Sequence, residues 1–130
     1  NMRLGLNKDL GFTREDRAEN VRRVSEVAHN LYDAGLIAIV ALVSPYADDR
    51  AQAKALFPED DFAEVWVKTP AEVCADRDPK GLYKKAASGE LPNLTGVGQD
   101  YEEPGSASLV IDGSRPVDEN LELLMETFFS

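Results

Sequence analysis

The stretch Leu36-Ile37-Ala38-Ile39-Val40-Ala41-Leu42-Val43, "LIAIVALV", is apolar at every position and rich in β-branched side chains. A strand with one wet face alternates apolar and polar residues, whereas an unbroken apolar run suits a strand covered on both faces, as in a parallel sheet flanked by helices. The run is far shorter than the roughly 18 residues that span a membrane. Leu36–Val43 is therefore predicted to be a buried strand, ended by Ser44-Pro45-Tyr46.

The flanking segments fit the same architecture. Upstream, Thr13 followed by Asp16 has the form of a capping box. Ala18, Val21, Val24, Ala28 and Leu31 keep one apolar stripe at three- and four-residue spacing until Gly35, which predicts a helix over about 14–34. Downstream, "ADDRAQAKALF" reads as a second helix closed by Pro58, and "FAEVWVK" (62–68) as another strand. Thr69-Pro70-Ala71-Glu72 predicts a helix start with a capping hydroxyl and proline in the first helical position. A polar stretch, Asp76 to Gly105, holds one short helix between Gly81 and Gly89. "SLVI" returns as a strand, and Pro116 opens an amphipathic helix carrying Val117, Leu121, Leu124, Met125 and Phe128. Three apolar strands separated by helices predict an α/β domain with a parallel sheet over 1–130. In such folds ligands gather beyond the carboxyl ends of the strands, which places Ser44, the 76–105 segment and the Asp112-Gly113 turn on the functional edge.

The 130 residues carry 14 Lys and Arg against 24 Asp and Glu, a net charge of −10. That argues against non-specific nucleic-acid binding, which needs an extended basic surface. The chain shows no membrane span, and its first residues lack the apolar centre of a signal peptide. A cytoplasmic location is expected, and the single Cys74 suits a reducing compartment as a small helix hydrophobe. No metal-ligand cluster is read from the spacing.

Anionic ligands must then be bound by local basic groups. Arg17 and Asn20, three apart near a helix start, share a face beside the positive end of the helix dipole; they read either as an anion-binding pair or as a solvated arginine with an incidental polar neighbour. Arg22 and Arg23 read as helix-surface charge paired with acids. The only histidine, His29, lies far along the helix from strand-end Ser44, so a Ser-His dyad is not expected. "RDPKGLYKKA" (77–86) concentrates four basic residues, with Pro79 and Gly81 around Lys80. It has three readings: a solvated charged helix, a basic tail for a partner, or a phosphate lid.

"NMRLGLNKDLGFTREDRAENVRRVSEVA", "VSPY", "RDPKGLYKKAASGE" and "LTG", in this order and spacing, resemble adenylylsulfate kinase. The resemblance covers nearly the whole chain. It implies a P-loop nucleotide-kinase-like three-layer α/β fold and transfer of the ATP γ-phosphate to the 3′-hydroxyl of adenosine 5′-phosphosulfate, with Mg2+ accompanying ATP. It further implies that Arg3, Phe12, Arg17, Asn20, Val43, Ser44, Lys80, Asn93 and Leu94 line the adenosine phosphosulfate site. Phe12 would stack on adenine, Arg3, Arg17 and Asn20 would hold the phosphosulfate, and Lys80, on a lid spanning about 76–105, would act catalytically at the phosphates between the two nucleotides. Arg77 and Pro116 would flank the ATP adenine. Ser44 is phosphorylated in some members of the family. Relatives are usually homodimers, and some are fused to or associated with ATP sulfurylase.

Two departures stand out. Leu94 occupies a position where phenylalanine is common, and no Gly-Lys pair of the phosphate loop G-x-x-x-x-G-K-[ST] occurs in these residues. The chain is thus expected to be a piece of a longer protein, with the N-terminal strand and phosphate loop outside it and 36–43 not paired directly with 62–68. Activity is not expected of this piece alone. Two competing functions remain: a non-catalytic nucleotide-sulfate-binding or regulatory domain, and a kinase for another hydroxylated metabolite.

Overall fold

The computed structural model describes residues 2–98 and 100–130. It divides into two compact units, one running to Phe62 and including Tyr101–Glu103, the other comprising Ala63–Asp100 and Pro104–Ser130.

The first unit is built on helix α1, Arg14–Asp33, with α2, Ala47–Lys54, packed against it. Helix α1 begins where expected because the Thr13 hydroxyl accepts from the Asp16 N–H at 3.1 Å, satisfying a donor with no intrahelical partner. It ends at Gly35, whose φ of 79° lets its N–H reach the Tyr32 carbonyl while the Leu36 N–H closes on Leu31. Of the apolar stripe, Val21, Val24 and Ala28 are buried, whereas Leu31 is exposed. The far end of α1 joins an aromatic cluster: His29 and Tyr32 lie 5.4 and 5.6 Å from Phe57, which meets Phe62. The Tyr32 hydroxyl donates to Asp61 at 2.6 Å, and this bond raises the phenol's pKa. His29 is thus a partly packed aromatic residue near Asp33.

Leu36–Val43 is not a strand. It carries no helix or ladder, and Ile37 and Ile39 are 74% and 84% exposed. A strand exists only through its hydrogen-bonded neighbour. The only ladder among the described residues pairs β1, Val65–Lys68, with β2, Leu109–Asp112, in the second unit.

That pair is parallel, in register from Val65 opposite Leu109 to Lys68 opposite Asp112. The predicted strand at 62–68 is therefore shortened to four residues, and 36–43 is not paired with it. Helix α5, Val117–Phe129, packs on β2, where Ile111 is buried. Between the strands lie α3, Ala71–Arg77, and α4, Leu82–Ala87. Pro70, not Thr69, occupies the N-cap of α3, without a side-chain cap bond. Thr69 instead lies against Gly113, where an added Cβ would stand 1.9 Å from its hydroxyl oxygen, so a side chain at 113 would have to displace Thr69. Gly81, at φ 66°, and Gly89, at φ 79°, bracket α4 as expected. Among the described residues no helix is long and apolar enough to cross a membrane.

Candidate functional site

In the first unit, a 3-10 turn at Met2–Leu4 leads into a loop that returns to α1 at Thr13. The loop closes on itself through Asn7 N–H to Met2 O at 2.8 Å and Leu10 N–H to Asn7 O at 3.2 Å. Arg3 donates to the Leu10 and Gly11 carbonyls at 3.1 and 2.6 Å, which orients its guanidinium. Its Cζ lies 4.5 Å from the Phe12 ring centroid, and the Arg17 Cζ lies 5.6 Å from the same ring. Arg17 is tied back by donation from Nε to the Phe12 carbonyl at 3.2 Å. Two guanidinium groups therefore flank one half-exposed aromatic ring.

Burial is the main reason the Arg17 pKa is lowered, and the nearby Arg3 charge pushes the same way. The group stays cationic at neutral pH, but a doubly charged anion would relieve both effects. Asn20, one turn along α1, is buried, and its Oδ1 accepts from Asn7 Nδ2 at 3.0 Å. The arrangement brings together the sequence-predicted Arg3, Phe12 and Arg17, with Asn20 on the same helix. Arg22 and Arg23 are engaged as expected: both bind Glu19 at 2.7 Å, and Arg23 also binds Asp9 at 2.7 Å. The hydrogen bonds from Arg22 and Arg23 depress the Glu19 pKa to about 2.

Ser44 has a left-handed φ of 43°, a conformation that costs a non-glycine residue roughly 1 kcal/mol. Its carbonyl accepts from Arg50 at 2.7 Å, and the same guanidinium binds the Glu102 carbonyl at 2.7 Å. The Glu102 carboxylate in turn accepts from the Ala47 N–H at 2.6 Å, capping α2. Fully buried Pro45 holds the other side of Ser44, while Val43 is exposed. Arg50 and Glu102 were not singled out in the sequence. They are 52 residues apart, and no local pattern links them.

In the second unit, Arg77 and Pro116 line one open groove of about 540 Å³ with Val67, Ile111, Gly113 and Asn120. Arg77 donates to the Gly113 carbonyl at 2.6 Å and to Ser114 at 3.1 Å, so its planar head is fixed against the turn after β2. Asn120 reaches back from α5 to the Asp112 carbonyl at 2.7 Å. The Ser114 hydroxyl and N–H both donate to the Asp112 carboxylate and lower its pKa.

Lys80 is exposed in the turn between α3 and α4. The turn is shaped by Asp78, whose carboxylate accepts from the Tyr83 and Lys84 N–H groups at 3.1 Å each. Burial alone would raise the Asp78 pKa, but the bonds from Lys84, Tyr83 and Leu82 together outweigh it and hold the group lower. Lys84 and Lys85 are exposed on α4. Exposed Asn93 and half-buried Leu94 lie in the following segment, where the Leu94 carbonyl accepts from Val97 and Gly98. Cys74 is a half-buried free cysteine on α3, and burial first and the neighbouring Cys74 next raise the Tyr83 pKa. Among the described residues, no group of three or more His, Cys, Asp or Glu is placed to hold a metal ion.

Residues 1–112 match the family model for adenylylsulphate kinase. The chain is 51% identical over 115 residues to the adenylyl-sulfate kinase of Geotalea uraniireducens strain Rf4, an alignment covering 88% of this chain and 55% of that protein. It is 52% identical over 130 residues to the bifunctional enzyme NodQ of Rhizobium meliloti strain 1021, covering 98% and 20%. The solved Mycobacterium tuberculosis APS kinase CysC in complex with AMPPNP and APS superposes with a TM-score of 0.93 at 42% identity, over 99% of this chain and 76% of that one. The fold is therefore that of the nucleotide kinases, α/β with a parallel sheet. The chain spans little more than half of the Geotalea relative and a fifth of NodQ.

Proposed function

Because the chain belongs to the adenylylsulphate kinase family, we propose that the protein containing it transfers the γ-phosphoryl group of ATP to the 3′-hydroxyl of adenosine 5′-phosphosulfate, giving 3′-phosphoadenosine 5′-phosphosulfate. The carrying observation is the half-exposed Phe12 ring flanked by the Arg3 and Arg17 guanidinium groups. An aromatic face for a base beside two cations for an anion is the chemistry that a nucleotide bearing a sulfate presents.

Phe12 stacks on the substrate adenine, while Arg3, Arg17 and Asn20 hold the phosphosulfate. Val43, Ser44, Asn93 and Leu94 complete the lining, with Leu94 giving aliphatic contact in place of an aromatic ring. Arg77 and Pro116, which share a groove, flank the adenine of ATP. Lys80 carries positive charge to the transferring phosphoryl group, where little covalent chemistry is needed and positioning with charge neutralisation lowers the barrier. Mg2+ belongs to this reading as the ion carried by the ATP phosphates, which bind it with few protein ligands. No residue of the chain is assigned to it.

We further place the protein in the cytoplasm as a homodimer, joined to or associated with ATP sulfurylase. The match to one segment of a bifunctional relative is in keeping with such a joining. The decisive experiment is ATP consumption by the full-length protein with and without adenosine 5′-phosphosulfate, repeated on Lys80→Ala. The expected result is substrate-dependent turnover that falls about 100-fold in the variant. Absence of dependence on the sulfate nucleotide removes the kinase reading and favours a binding domain. Unchanged turnover in Lys80→Ala removes the role of Lys80 alone.

A further inference from the structure

Asn7 is the most buried polar side chain among the described residues of the first unit, at 0% exposure, and it hydrogen-bonds Asn20. Its backbone is fully used within the loop, by Met2 on one side and Leu10 on the other. Its Nδ2 donates to Asn20 Oδ1 at 3.0 Å, whereas its own Oδ1 is buried with no hydrogen-bond partner among the described residues. Enclosing an amide with half its bonding capacity unmet is unfavourable, and an apolar side chain of the same branching would fill the place without that penalty. Packing alone therefore does not explain an asparagine here.

What the asparagine does supply is a polar bond to Asn20, which stands three residues from Arg17 on the same helix face. The same bond also joins the loop bearing Arg3 and Phe12 to the helix bearing Arg17 and Asn20, bridging 13 residues.

We infer that Asn7 is a positioning residue for the anion-binding site: its bond to Asn20 holds the loop that carries Arg3 and Phe12 against the helix that carries Arg17 and Asn20. This rests on the proposed function for the identity of the anion. The test is a double-mutant cycle in the full-length protein, with Asn7→Leu, Asn20→Ala and the pair, reading KM for adenosine 5′-phosphosulfate and for ATP separately. Asn7→Leu is expected to raise the KM for the sulfate nucleotide about tenfold, the scale of one lost hydrogen bond to a charged group, with the KM for ATP unchanged. In the Asn20→Ala background the same change is expected to add nothing. Multiplying effects, or an equal rise in both KM values, would overturn the inference by showing a general structural role.

If Asn7→Leu does not fold, side-chain amide NMR of the unaltered protein decides. The Asn7 amide protons are expected to exchange slowly, while the Asn20 amide shifts on adding adenosine 5′-phosphosulfate. Rapid exchange at Asn7 would overturn the lock. If turnover is absent but Asn7 is protected, the proposed function fails while the Asn7–Asn20 lock stands.

Discussion

The ion pair between Arg14 and Asp49 joins α1 to α2, and its two halves sit in unlike surroundings. Arg14 donates to both carboxylate oxygens at 2.9 and 3.1 Å, but its side chain is 41% exposed whereas that of Asp49 is 5% exposed. Removing either partner deletes the same bonds, so a pairwise view predicts equal losses. Desolvation predicts otherwise. Asp49→Ala releases an arginine that returns its head to water and keeps its place 3.8 Å above the Tyr46 ring, costing about 1 kcal/mol. Arg14→Met strands a buried carboxylate, a change that costs 3–5 kcal/mol when both partners are enclosed. Because Asp49 lies in the first turn of α2, the helix dipole offsets part of this, while loss of the cation–π contact adds roughly 0.5–1 kcal/mol. The net expectation for Arg14→Met is about 3 kcal/mol, some three times the loss for its partner. Urea unfolding of the full-length protein, followed by circular dichroism, measures both from the shift in midpoint at constant slope. Equal losses, or a larger one for Asp49→Ala, would refute the desolvation argument.

Three further outcomes are expected. Thr13→Ala removes the N-cap acceptor of α1 and should destabilise the protein by about 1 kcal/mol in the same unfolding assay, with Thr13→Ser restoring most of it. Glu19 has a folded pKa depressed from 4.5 to about 2 by Arg22 and Arg23, so its contribution to stability is present above pH 4.5 and disappears as pH falls toward 2; the Tm gap between the unaltered protein and Glu19→Gln should close across that window, and a gap that widens on acidification would contradict the assignment. Arg77→Met removes both bonds to the turn after β2 and should raise the KM for ATP about tenfold while leaving that for adenosine 5′-phosphosulfate unchanged, as initial-rate kinetics would show.

Much of the fold was legible along the chain. Helix α1 runs within a residue of its predicted bounds because its signals act over a few positions: the Thr13 cap, the Val21-Val24-Ala28 stripe and the left-handed Gly35. Pro116 before α5 and the glycines around α4 mark their boundaries for the same reason. The candidate site was legible in part. Arg3, Phe12 and Arg17 lie together, but the bonds that orient them end on backbone carbonyls, which no residue identity announces. Asn7 was readable as part of "GLNKDLGF", yet nothing in its spacing pointed to Asn20.

The eight apolar residues of Leu36–Val43 mark the division most clearly. Their composition establishes that they would suit burial on two faces, but whether they form a strand depends on a hydrogen-bonding neighbour, and among the described residues none is paired with them. Helix signals lie within one or two turns of the groups they satisfy, so the order of amino acids settled them. The bonds from Asn7 to Asn20, from Arg77 to Gly113 and from Arg50 to Glu102 close loops of 13, 36 and 52 residues. Those pairings follow from how the chain packs, and it is they that set the side chains of the candidate site.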